Sequence, residues 1–412
     1  MLTFILSKCA DLYSRDSSLR KRDFSEMHGQ KKLAVVIPKY GLLGGAESHT
    51  AELTNRISQS GRYEVHVFAN KWANHPKHIT FHKIPIITFP KFLTTISFAY
   101  FSGIKISRIN FDIVHTHERI FSADVCTLHG IPHHLWVEQV RKKRVPSLFD
   151  YATMWVARKF VNNNCRKIVA VSSLTKEKFL EEYKNIEPCQ VSVIHPGVDT
   201  ENFVRLDHLK CRREVRQQFG IGEEDIVIIF VSMNYDIKGL DYLMIGLAKF
   251  KEKHPTRNFK LLVVGKSDSR KYISLAEKIG IQHDVVYTGA IPHDQIARLY
   301  IASDIFSMLS RFDTFGLTVL EAMAASLPVI ISRNVGAKDI VKQGANGFVI
   351  DNPEDAEQVA DALELLSDKN IRMKMSAEAL DTASHHRWED AVDKYLSLYE
   401  EVIRSKALTQ AP

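Results

Sequence analysis

DIFSMLSRFDTFGLTVLEAMAASLPVIIS, residues 304–332, holds a strand, a turn, a helix and a second strand in one stretch. PVIIS at its end is a short apolar run, as a parallel strand covered on both faces must be. LTVLEAMAA, after Gly316, has amphipathic helical spacing and begins near Leu317 or Thr318. Strand, helix and strand make a βαβ unit, and the same alternation extends in both directions. Upstream in the same half lie IVIIFVS, KLLVVGKSD and DVVYTG; the first half carries VVIP, EVHVFAN, DIVHTH, KIVAVSS and VSVIHPGVD. The pattern restarts after a charged stretch around Leu206 to Gln218, and Ser367 to Lys406 is helical in pattern. Two doubly wound α/β domains with parallel sheets follow, spanning residues 31–205 and 206–385. Residues 1–30 read as a loose, mixed-charge lead-in, within which Met27 competes with Met1 as the start.

Composition bounds the function. At 412 residues the chain exceeds what one core usually organises, and 45% apolar with 25% charged residues is ordinary for a globular protein. The formal charge of +7 favours anionic partners: phosphorylated substrates, an anionic membrane face or nucleic acid. Basic residues are dispersed and no recognition motif appears, so nucleic acid is not expected. The five cysteines, Cys9, Cys126, Cys165, Cys189 and Cys211, never form a C-x-x-C pair, which argues against a disulfide scaffold and a zinc site. The apolar run Phe92 to Ile104 is shorter than the ~20 residues that span a bilayer, and the first residues lack a signal-peptide pattern. A cytoplasmic setting is expected.

Four spots carry candidate chemistry. In PKYGLLGGAESHTAEL, residues 38–53, a strand end passes through Gly41, Gly44 and Gly45 into a helix. Such a turn suits a phosphate or sugar oxygen, but it matches neither G-x-G-x-x-G nor the P-loop and reads equally as a plain strand-to-helix turn. In FDIVHTHERI, His115 and His117 sit at period two near a strand end and face the same side, where ligand crevices of parallel sheets open. A structural role and a ligand role both fit them. Lys238 in YDIKGLDYLMIGL falls in a strand-to-helix turn, where it can neutralise a diphosphate or simply be solvated. Asp313 and Glu321 are eight residues apart around the helix start, whose first amides can receive phosphate or sugar oxygens. Glu321, one turn inside, is placed for a ribose diol; an acidic pair that merely caps and solvates the helix is the plainer alternative.

The segment SRFDTFGLTVLEAMAASLPVIIS resembles the E-x7-E signature of retaining glycosyltransferase family 4. From about Lys32 to Ser405 the chain is similar to that family's GT-B architecture, two Rossmann-like domains facing across a cleft. The runs LLVVGKSDSRKYISLAEKIGI and DTFGLTVLEAMAASLPVI resemble bacterial lipopolysaccharide core glucosyltransferases. The resemblance implies an acceptor domain over 31–205, a donor domain over 206–385, and a terminal helix over 386–412 that crosses back to the first domain. It implies that Gly44 and Gly45 form the donor-side loop, that His117 approaches the transferred sugar, and that Lys238 contacts the diphosphate. Asp313 and the amides of Phe315, Gly316 and Leu317 would hold sugar hydroxyls, with Thr318 near phosphate and Glu321 on ribose. Two positions depart from the pattern: Asp313 replaces the usual Glu, and Met233 stands where many members carry arginine. Lys266 or Arg270 is then the expected helper of Lys238.

The activity implied is retaining, metal-independent hexosyl transfer from a nucleotide-sugar co-substrate, a UDP-sugar by analogy, to a glycan or glycolipid acceptor of cell-surface polysaccharide such as lipopolysaccharide. No cofactor and no metal are expected, since no D-x-D motif occurs. Trp136, Trp155 and the basic run from Arg141 to Arg144 suit an anionic inner-membrane surface, and equally an ordinary solvated helix face. A GT-B sugar-nucleotide epimerase and a catalytically impaired nucleotide-sugar- or glycan-binding scaffold are the rival readings.

Overall fold

Fifteen stretches of strand are laid down in chain order in the computed structural model, which describes residues 30–410 apart from 43, 74, 143–144 and 163–164. The lead-in over 1–29, with Met27, lies outside the described residues. β1 (Lys31–Val36), β3 (Tyr63–Ala69), β5 (Ile79–Lys83), β6 (Ile113–Thr116), β7 (Val125–Leu128), β8 (Lys167–Ala170) and β9 (Val191–Val193) form one parallel sheet in the order β5-β3-β1-β6-β7-β8-β9. The second parallel sheet is β12-β11-β10-β13-β14-β15, from β10 (Ile226–Val231), β11 (Phe259–Val264), β12 (Val285–Gly289), β13 (Ile305–Met308), β14 (Val329–Ser332) and β15 (Gly347–Ile350). The two-residue strands β2 (Lys39–Tyr40) and β4 (Lys71–Trp72) pair separately.

Each sheet is wound outward twice from its centre. In the first, the chain runs from β1 to β3 and β5 and then returns to β6 beside β1; in the second it runs from β10 to β11 and β12 and returns to β13 beside β10. Between β1 and β6, and between β10 and β13, successive connections therefore leave in opposite directions and open a crevice at the strands' carboxyl ends. Register fixes both seams, with Leu33 opposite Ile113 and Ile228 opposite Ile305.

Alternate residues of every central strand enter different cores. Leu33 and Val35 pack on one face of the first sheet and Ala34 and Val36 on the other; Val227 and Ile229 are separated from Ile228 and Phe230 in the same way. Burial on both sides is what makes these strands near-continuous apolar runs. The helical pattern expected from Ser367 onward is cut at His385, giving helices Lys369–Ser384 and Trp388–Gln410. The second of these lies on the first sheet, where Trp388, Tyr395, Tyr399 and Val402 complete its core. The chain returns through a tight crossing: the Val198 N–H donates to the His386 carbonyl at 2.9 Å. Any Cβ on Gly197 would stand 2.3 Å from the backbone nitrogen of Trp388, so only glycine fits there.

The returning helix also brings polar groups inside. Tyr399 hydroxyl and His115 Nδ1 are 2.6 Å apart, His115 Nε2 and Thr127 Oγ1 2.8 Å, and Thr127 Oγ1 and Tyr395 hydroxyl 3.0 Å. Lys406 Nζ donates to Asp124 Oδ2 at 3.0 Å and to the Asp112 carbonyl at 2.8 Å. Replacing Tyr399 with Phe keeps the ring and leaves a fully buried imidazole nitrogen without its partner, which costs about 1–3 kcal/mol. Chemical unfolding of Tyr399→Phe is expected to show that loss, and an unchanged midpoint would contradict it.

Candidate active site

Past the end of β6, His117 projects to the same side as His115, with ring centroids 4.2 Å apart, as the period-two spacing predicts. The two have different surroundings. His115 is enclosed by Thr127, Tyr395 and Tyr399, which assigns it to the core. His117 lines a cavity of about 340 Å³ at the carboxyl ends of β1, β6 and β7, shared with Lys39, Glu47, Arg119 and His129 and floored by Phe160 and Val161. Its Nδ1 is 2.8 Å from His129 Nε2, while its Nε2 is buried without a hydrogen-bond partner among the described residues. His49, from the helix Gly45–Gln59, adds a fourth imidazole, 4.9 Å from the His129 ring and 5.2 Å from Trp388. Gly44 and Gly45 stand exposed at the start of that helix, ahead of Glu47 on the cavity wall.

Burial governs the charge of this group. It pushes His115 down to about 3 and His129 down to about 4, and it holds His117 and His49 well below the ordinary histidine range, helped by the neighbouring imidazoles. All four rings are neutral near pH 7. Among the described residues no set of three or more His, Cys, Asp or Glu side chains is arranged to hold a metal ion.

The second crevice collects Lys238 and Asp313. Lys238 sits in the turn after β10 and Asp313 in the loop after β13, and the two side chains form an ion pair, both largely shielded from solvent. Those loops are sewn together: Arg311 N–H donates to the Ile237 carbonyl at 2.8 Å and Ser310 Oγ to the same oxygen at 2.9 Å. Asp313 is held by its own backbone, which receives from Gly336 at 3.0 Å and donates to Asn334 at 2.9 Å. The Phe315 N–H donates to Asp313 Oδ1 at 3.3 Å, so this amide is already engaged. Gly316 then turns the chain with φ 92° into the helix Leu317–Ala324; a Cβ here would meet Met308 Cε at 2.7 Å. The amides of Leu317 and Thr318 open the helix, where no carbonyl of the helix itself reaches them. Glu321, a turn inside, receives the Tyr300 hydroxyl at 3.1 Å; burial first, and then this carboxylate, hold the Tyr300 phenol well above its ordinary range.

Not every expected residue joins them. Lys266 is exposed past the end of β11, and the Arg270 guanidinium is taken by Asp268, with Nε 2.9 Å from Oδ1. Met233 is 57% exposed. Arg311, which sequence reading passed over, grips Asp241 with two nitrogens at 3.1 and 2.6 Å and stacks on Tyr242 at 4.3 Å. Trp136 packs against Ile131, Leu135, Leu174 and Phe312, and Trp155 against Phe121, so neither is a free surface anchor. Arg141 pairs with the fully buried Asp150 at 3.0 Å; residues 143 and 144 lie outside the described residues.

Two family models fit the chain in tandem: residues 43–202 match glycosyltransferase family 4, and residues 212–382 match glycosyl transferases group 1. WaaG, a glycosyltransferase involved in lipopolysaccharide biosynthesis, has the same fold, with a TM-score of 0.73 at 21% identity over 89% of this chain and 99% of WaaG. The chain is a GT-B glycosyltransferase. Its family resemblance reaches an uncharacterized glycosyltransferase of Methanocaldococcus jannaschii, 25% identical over 389 residues, 90% of this chain and 98% of that one. The D-inositol 3-phosphate glycosyltransferase of Acidothermus cellulolyticus is 27% identical over 252 residues, 59% of this glycosyltransferase and 55% of the relative. The chain thus spans about half the length of that relative. HepE of Anabaena, solved in complex with UDP-glucose, shares the fold at a TM-score of 0.67, 18% identity, and coverage of 89% and 99%.

The neutral imidazoles make this glycosyltransferase acid-sensitive. An unfolded histidine takes up its proton near pH 6.5, whereas folded His129 and His115 refuse it until about 4 and 3. The unfolded state therefore binds more protons as pH falls through this window, and stability is lost, by on the order of 2 kcal/mol for each ring at pH 5. Urea unfolding at pH 7 and pH 5 is expected to show the drop; equal stabilities would contradict the buried neutral cluster.

Proposed function

We propose that this glycosyltransferase moves a hexose from a nucleotide diphosphate sugar, a UDP-sugar by preference, to a hydroxyl of a glycan or glycolipid, with retention of anomeric configuration and without a metal ion. The observation that carries the reading is the meeting of Lys238 and Asp313 in the second crevice, beside the helix that starts after Gly316. In this reading Lys238 turns from Asp313 to the donor diphosphate, and Asp313 is released to a sugar hydroxyl. The first amides of the helix, those of Leu317 and Thr318, take sugar and phosphate oxygens, and Glu321 takes the ribose diol. His117 meets the transferred sugar from the first crevice, with Gly44 and Gly45 on the donor-side loop.

The chemistry follows from where charge grows. As the bond between the anomeric carbon and the diphosphate oxygen breaks, negative charge builds on the leaving group, where a lysine and a helix start stabilise the transition state. The acceptor oxygen bonds to the same face of the anomeric carbon, and its proton passes to a phosphate oxygen. A neutral His117 suits this step, because a cationic ring would oppose positive charge on the sugar. UDP as carrier is supported by the UDP-glucose complex of HepE, and a role in lipopolysaccharide or other cell-surface polysaccharide by the likeness to WaaG.

An acceptor carried on lipid would bring the first lobe to an anionic inner-membrane face. Exposed Val145, Leu148 and Tyr151, next to Lys142, support that contact in place of the two packed tryptophans. No helix among the described residues is long and apolar enough to cross a membrane.

Lys238→Ala and Glu321→Ala are each expected to lower donor turnover about 10²–10³-fold while leaving thermal unfolding within a few degrees of the parent. The assay is slow hydrolysis of UDP-, GDP- and ADP-sugars with and without EDTA. Near-normal turnover in both variants would remove the site assignment, and loss of activity in EDTA would remove the metal-independent route.

A further inference from the structure

The cavity at the end of the first sheet contains an unexplained arrangement. β6 and β7 are neighbours, with Thr116 opposite Cys126, so the residues that follow them emerge side by side. His117 and His129 do so with rings 5.1 Å apart and only 20° from parallel, and their facing nitrogens are 2.8 Å apart. A neutral imidazole carries one N–H. The contact between His117 Nδ1 and His129 Nε2 therefore holds one proton, and the side that donates it decides whether His117 Nε2 is a donor or an acceptor. That Nε2 is buried and has no partner among the described residues.

We propose that His129 is a positioning residue, which holds the His117 ring in one orientation and one neutral tautomer so that Nε2 meets the donor sugar in a single way. This rests on the reading that His117 faces the transferred sugar. Loss of the contact would free the His117 ring to rotate and to exchange tautomers, while the sugar needs one fixed polar partner. Other polar groups on the cavity wall are less suited to the task. On that wall Arg119 Nη1 is held by Glu118 at 3.0 Å; behind it, in the core, His115 Nδ1 and Nε2 are engaged by Tyr399 and Thr127. His49 has both ring nitrogens buried without a partner among the described residues, so it places no restraint on the His117 tautomer.

His129→Phe keeps a flat ring and removes the hydrogen bond; His129→Gln restores a polar group that can donate or accept. The expected result is a 10- to 100-fold lower kcat for UDP-sugar hydrolysis in His129→Phe, with KM for the donor and the thermal shift caused by UDP nearly unchanged. His129→Gln should recover most of the rate. Nitrogen-15 spectra of histidine-labelled protein should show one neutral tautomer for His117 in the parent and a mixture in His129→Phe. A parental kcat and parental His117 spectrum in His129→Phe would overturn the proposal, as would two His117 tautomers in the parent itself. His117→Ala separates the two levels. If it turns over normally, the reading of His117 fails; if it is inactive while His129→Phe is normal, the positioning role alone fails. Should His129→Phe not fold, the same rate and spectrum are read on His129→Gln against His129→Ala.

Discussion

The carbonyl of Thr314 ties the two lobes of this molecule together. It accepts the Ser172 hydroxyl at 2.5 Å and the Thr175 hydroxyl at 3.1 Å, both at the start of a helix of the first lobe, while Thr314 itself lies between Asp313 and Phe315 of the second. Gly336 leaves room for the contact, since a Cβ there would fall 2.0 Å from the same oxygen and 2.4 Å from Ser172 Oγ. Beside it, Asp339 takes the Ser173 N–H at 2.6 Å and His195 Nε2 at 3.0 Å. Burial opposes its charge, but His195 and this amide outweigh burial and hold the Asp339 carboxyl below its ordinary range. The loop bearing the candidate sugar-binding acid is thus pinned by the opposite lobe.

Much of this was legible before the fold was known, and for a physical reason. Strands such as β10, β11 and β14 are buried on both faces, so their apolar runs survive in the sequence as continuous signals. β5 and β7 left no such trace: ITFHK alternates polar and apolar at a sheet edge, and VCTL is too short and too mixed. The second crevice was readable because Lys238, Gly316 and Glu321 mark local turns and a helix start. The Lys238–Asp313 pair was not, since it joins residues 75 apart in sequence.

Histidines illustrate the same divide. The period-two pair His115 and His117 told correctly which side both rings face, yet nothing local says that one is sealed by tyrosines near the chain's far end. His129 and His49 become visible only through the register of neighbouring strands and the packing of a helix against them. Tryptophans beside lysine and arginine gave the opposite lesson: a basic, aromatic sequence suits a membrane face and a packed interface equally well, and here Trp136 belongs to the latter.

The return of helix Trp388–Gln410 to the first sheet has a consequence for how the protein is made. The strands β1 to β9 leave the ribosome long before Trp388, Tyr395 and Tyr399, which supply one wall of their core. The second sheet, by contrast, is laid down without interruption from β10 to β15, and the helices that complete its cores, Ala356–Ser367 and Lys369–Ser384, follow it directly. During synthesis the earlier-made sheet therefore waits with one apolar face uncovered until helix Trp388–Gln410 arrives. In that interval a chaperone that holds exposed apolar surface would serve the first sheet most.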